Sequence, residues 1–147
     1  MSDAKCGGCG NTNPVKAAVK SETVIEIGDL VWQDIDNAKP ASVIASRPNM
    51  PDRRIRAEFK RLFLGVAMQR SREGHTDPIR VATTGVFEFA CHCETYELGN
   101  FVAMFGNQQV VLTKDRALAI GRVHRRSADL VESVFVDIRS TVMTGGA

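Results

Sequence analysis

The chain has 147 residues, 44% hydrophobic and 24% charged, with a net charge of +2. That length suits one domain with a real core, and so small a net charge does not by itself call for nucleic acid. No apolar run approaches the roughly 18 residues of a membrane span. No hydrophobic segment follows the first lysine as a secretory leader would require, so neither a membrane partner nor export is expected.

Residues 1–22 are dominated by small and polar types, as in "CGGCGNTNP", and read as an extended N-terminal arm. From Thr23 the chain becomes rich in β-branched residues, and a single β-rich domain is expected over 23–143, with 144–147 as a tail. "TVIEIGDLVWQD" predicts strands over Thr23–Ile27 and Leu30–Trp32, turned at Gly28-Asp29. "DNAKPAS" and "SRPNMP" read as loops. In "PDRRIRAEFKRLF", Asp52 is a predicted N-cap, and Ile55, Phe59, Leu62 and Phe63 recur at helical spacing. One short helix is therefore expected over Asp52–Arg61.

"LFLGVAMQ", "IRVATTGVFEFA", "NFVAMFG", "QQVVLT", "LAIGRVHR" and "ESVFVDIRSTV" follow as short β-type runs bounded by Gly, Pro, Asn or charge. The fold class is mainly β, a small barrel or sandwich. Its expected core includes Val24, Ile25, Val31, Leu64, Val66, Val81, Phe87, Val102, Val111, Ile120, Val134 and Val136.

An internal repeat runs through this pattern. "IEIGDLVWQD" resembles "YELGNFVAMF", and "LFLGVAMQ" resembles "LAIGRVHR". Ile79-Arg80-Val81 and Val134-Phe135-Val136 then follow at similar distances from Gly65 and Gly121. Two such halves are expected to close one small barrel around a pseudo-twofold axis, which removes free sheet edges.

No nucleophile elbow, metalloprotease helix, phosphate loop or dinucleotide-binding glycine pattern is present, so the sequence offers no catalytic residue and an enzyme is not expected. His75 and His124 fall in a loop and near a strand end, where such residues are usually solvated. Two basic clusters exist: Arg47, Arg53, Arg54, Arg56, Lys60 and Arg61, then Arg122, His124, Arg125 and Arg126. Without the interleaved aromatics of single-strand binders they read as solvated faces or as a match for an acidic protein partner.

The four cysteines are the unusual feature. Cys6 and Cys9 sit in the arm, and Cys91 and Cys93 in a β-type run. Zinc takes about four sulfur or imidazole ligands, so the four residues, with His92 as a substitute, are candidate metal ligands that would staple arm to body. A C-x-C run within a strand would point both thiols to one face. A disulfide linkage and unlinked thiols stand beside the zinc reading.

The motifs "IGDLVWQD", "LFLGVA", "IRVATTGVFEF", "YELGNFV", "AIGRV" and "VDIRSTV" resemble small proteins encoded beside the major capsid gene in tailed phages and prophages, the capsid decoration or cement proteins. The likeness spans about residues 23–143 and does not extend to the cysteines. It implies a β-rich virion protein, assembled in the bacterial cytoplasm and placed on the outer capsid surface. It also implies the major capsid protein as partner, a homotrimer, N-terminal arms on the capsid subunits, no nucleic acid and no required cofactor. The alternative is a zinc-stapled β-barrel module that binds nucleic acid or a cellular protein.

Overall fold

The computed structural model describes residues 11–146. Its first half runs β1 (Val15–Ala17), β2 (Leu30–Asp34), β3 (Asn37–Pro40), helices α1 (Ala41–Ala45) and α2 (Asp52–Leu62), β4 (Phe63–Ala67) and β5 (Ile79–Ala82). The second half runs β6 (Thr84–Tyr96), β7 (Phe101–Phe105), β8 (Gln109–Leu112), a 3-10 turn (Arg116–Leu118), β9 (Gly121–Val123), β10 (Ser127–Arg139) and α3 (Thr141–Thr144).

The first half forms a five-stranded sheet in the order β1-β5-β4-β2-β3, and the second a closed barrel in the cyclic order β6-β10-β9-β7-β8. The two orders are the same motif with every strand number raised by five. The register agrees as well. Val31 lies opposite Gly65 and Val102 opposite Gly121. Val15 lies opposite Val81 and Phe87 opposite Val136. The turns repeat bond for bond: Gly28 N donates to Ala67 O (2.8 Å) and Gly99 N to Val123 O (2.9 Å). The side chains of Asp29 and Asn100 accept from the backbone of Glu26 and Glu97, each at 3.0 Å. The repeat is thus real. The expectation of one shared barrel is corrected: the second half closes a barrel by itself, and the first forms a separate five-stranded sheet. Parallel pairing of β6 with β8 seals the second half, and the corresponding place in the first carries the bond from Ala38 N to Ala18 O (2.8 Å).

The repeated glycines follow from close backbone approach. A Cβ on Gly65 would lie 1.8 Å from Ala82 O, and one on Gly121 would lie 2.5 Å from Asp137 O. Ala82 and Asp137 are themselves matching positions, on β5 and β10.

Ala17, Val19, Ile25, Val31, Ala38, Leu64, Ala67, Ile79 and Val81 fill the first half. A larger core fills the second barrel and continues into the junction, where Leu30, Trp32, Phe59, Phe63 and Val66 join Phe87, Met104 and Ile120. Burial of this kind supplies roughly 25 cal/mol per Å² of apolar surface. Gln108 fastens the halves: its Oε1 accepts from Leu30 N (2.5 Å) and its Nε2 donates to Leu30 O (3.2 Å).

Some expectations need correction. Thr23–Ile27 is not a strand. After a turn in which Thr23 N donates to Lys20 O, only Ile25 pairs, in a bridge to Ser71. Val24 is therefore exposed, and Val111 is half-buried because Val110 takes the inward place on β8. "NAKPAS", read as loop, instead forms β3 and the start of α1. Pro51 rather than Asp52 is the N-cap of α2, and no side chain caps it. Among the described residues there are two shorter α-helices besides α2. Residues 15–17, expected in the arm, pair with β5, and Ala17 and Val19 are buried.

Candidate functional site

Three basic residues of α2 meet the second half of the protein. Arg53 pairs with Asp115 at 2.5 Å, and Lys60 Nζ donates to Ala119 O at 3.0 Å. Arg56 lies over the Phe105 ring at 5.8 Å, and Arg61 pairs with Glu58 on its own helix. Arg47 lies over Trp32. The Arg53 guanidinium, with the Ala117 N–H, holds the Asp115 carboxyl below its ordinary range. Arg53, Arg56 and Lys60 therefore tie the helix to the body.

The second cluster frames a cleft. Alternation along β9 and β10 turns Arg122, Asp137 and Arg139 outward while Gly121, Val123, Val136 and Ile138 face in. Arg122 and Asp137 are register partners. With Arg116 and Gly146 they line a cavity of about 310 Å³. Lys60 stands at its border: a Cβ on Gly146 would lie 2.8 Å from Lys60 Nζ. Partial burial, then the nearby charge of Arg116, push the Lys60 ammonium below its ordinary pKa. Three guanidiniums thus surround one carboxylate, an arrangement able to receive carboxylates or other oxyanions. Arg122 also stacks on Phe101 at 4.4 Å. Further round, Arg125 lies over Phe135, Arg126 pairs with Glu97 at 2.8 Å, and His124 is exposed. Sequence reading found Arg122 but missed Arg116, Asp137 and Arg139. The outward alternation of "VDIRS" was a usable signal, whereas the register joining two distant strands was not.

The candidate metal residues are only partly in view. Cys6 and Cys9 lie outside the described residues. Cys91 is buried, in the position that Val19 occupies in the first half, and its Sγ donates to Val131 O at 3.5 Å. Burial pushes this thiol above its ordinary pKa. Cys93 is exposed, so the expectation that the two thiols share a face is corrected. The cause is a register irregularity: Val131 pairs with Glu94 but Ser133 with Ala90, which breaks the alternation of β6 between them. Tyr96, fully buried where the first half has Ile25, donates from its hydroxyl to His92 O at 2.6 Å. Burial pushes its phenol far up. The His92 ring is exposed and meets Phe105 edge-on at 5.4 Å. His75 is exposed in its loop. Among the described residues no three His, Cys, Asp or Glu side chains gather as a metal site.

No family model matches the chain, and no curated protein matches it. Among solved structures it is similar to the N base of head fiber gp8.5 of bacteriophage phi29, with a TM-score of 0.49 and 14% identity over 85% of this chain and 93% of that one.

Proposed function

We propose that the chain is a non-enzymatic structural protein of a phage virion, one that binds the outer capsid surface and stabilises it by bridging major capsid protein subunits. The observation that carries this reading is the cleft of Arg116, Arg122 and Arg139 on a rigid barrel wall. Like charges held together repel, and an acidic protein surface relieves that repulsion while steering the encounter. The motifs that resemble capsid decoration proteins supply the nature of that surface. A further support is β1, an edge strand whose approach from residue 12 is pinned to the body. Thr83 N and Thr84 N both donate to Thr12 O, and Thr83 Oγ1 donates to Asn13 O at 2.7 Å. A chain led along a sheet edge in this way is suited to carry an arm to a neighbouring subunit. Copies acting as trimers would add weak contacts into avidity.

The test is sedimentation of the purified protein with shells assembled from the major capsid protein of the same phage. Saturable binding at a fixed ratio and a higher bursting temperature are expected. The double variant Arg122→Glu, Arg139→Glu should bind roughly 10-fold or more weakly. Equal bursting temperatures for bare and decorated shells would remove the stabilising role. Tight, steeply salt-dependent binding to duplex DNA would move the cleft to a nucleic-acid function.

A further inference from the structure

The two hairpins of the repeat begin their loops with different residues, and the one in the first half is not what folding would select. β2 and β3 are joined by two residues, Ile35 and Asp36, and Ile35 has φ +55°. A two-residue hairpin needs positive φ at its first position, which Gly provides without a Cβ clash, Asn and Asp tolerate, and a β-branched side chain does not favour. In the second hairpin the residue that follows the last paired position of β7 is Gly106, with φ +54°. That loop has three residues, 106–108, where the first hairpin has two, but both begin at positive φ, with glycine in one half and isoleucine in the other. The other described non-glycine residues at positive φ are Asn13, Asn49 and Gln108. Ile35 is the β-branched one.

Ile35 gains nothing from burial to offset this conformation: it is 86% exposed, the most exposed of the large hydrophobic side chains among the described residues. Its carbonyl accepts from Gln33 Nε2 at 3.0 Å, a bond that any residue at this position would make. A β-branched side chain held in an unfavourable backbone conformation, with no burial to offset it, points to a use outside the folded chain. Two carboxylates flank it. Asp34 is bound by Lys39 at 2.5 Å, and Asp36 is exposed.

We propose that Ile35 is an interaction anchor that inserts into an apolar socket bordered by basic side chains on the outer surface of the capsid shell. The partner follows from the tip's chemistry: a branched apolar group for the socket and the exposed Asp36 carboxylate for its rim. The identity of that partner rests on the capsid-binding reading above. The anchor lies at the tip of the first half, whereas the basic cleft lies on the second, so the two contacts can be disabled separately.

Two variants test it, Ile35→Gly and Ile35→Asn, both suited to positive φ. The first measurement is the thermal midpoint of the purified protein, which should stay level or rise by up to about 5 °C. A fall in both variants would mean that Ile35 serves the fold and would overturn the inference. The second is affinity for the shells described above, which should fall at least about 10-fold in both variants, as expected for a central apolar anchor. Asp36→Lys should also weaken binding. Wild-type binding with undiminished binding by both Ile35 variants would refute the anchor and leave the capsid reading intact. Failure of the wild type to bind shells would refute both. The third measurement is sedimentation velocity without shells. Self-association by the wild type that disappears in both variants would assign the tip to a second copy of this chain and overturn the shell assignment.

Discussion

Replacing Gly65 by alanine is the sharpest test of the repeated architecture. Two costs combine. The residue has φ +157°, which an L side chain rarely adopts, and its new Cβ would stand 1.8 Å from Ala82 O, a backbone atom that cannot rotate away. Backbone strain contributes about 1–3 kcal/mol and overpacking about 1–3 kcal/mol or more, because β4 must separate from β5. The sum, roughly 2–6 kcal/mol, is a large part of the stability of a chain this size. At about 2–4 °C per kcal/mol the thermal midpoint should drop by roughly 4–24 °C. Two comparisons separate the costs. Gly121→Ala meets Asp137 O at 2.5 Å without a positive φ, and should cost about 1–3 kcal/mol. Gly74→Ala has φ +91° but open space around it, and should cost only about 1–2 kcal/mol of backbone strain. Urea unfolding followed by circular dichroism gives all three values. A Gly65→Ala protein within 0.5 kcal/mol of wild type, a margin of about the size of ordinary surface effects, would refute the close approach and the register that places it.

Phe87, buried in the junction core opposite Val136, should cost about 3–5 kcal/mol when cut to alanine, by the same unfolding measurement. Cys91→Val should stay within about 1.5 kcal/mol of wild type, because Val19 fills the matching place, and the native Cys91 thiol should resist iodoacetamide until the protein is unfolded. Asp34 and Asp115 have folded pKa values below their ordinary ones, through hydrogen bonds from Lys39 and Arg53 respectively. Their contribution is present above the ordinary carboxylate range and lost as pH falls below about 4, so Asp34→Asn and Asp115→Asn should each flatten the acid limb of the stability curve.

What could be read from the sequence was whatever the backbone demands of a residue type. Gly28 and Gly99 mark equivalent turns at φ +90° and +84°, and Gly65 and Gly121 mark equivalent close approaches, so four glycines outlined the duplication before any strand was paired. Closure was not legible, because it depends on which strand edges meet. β3 is four residues long and was hidden by Pro40, and the short α1 lacks the length for a periodic signal. The cysteines misled for a related reason. Alternation puts positions 91 and 93 on one face only while the ladder is regular, and the register irregularity of β6 and β10 falls between them. Comparison of the halves explains Cys91 better than its neighbours in sequence do, since it fills a place that needs a small apolar group. The same comparison isolates Ile35. Read alone, "DIDN" is an unremarkable turn. Its first loop residue holds a β-branched side chain at positive φ, where the longer loop of the second hairpin begins with Gly106. A duplicated fold thus carries an internal control: positions where both halves agree report what folding requires, and a position where one half departs at a conformational cost reports what folding does not require.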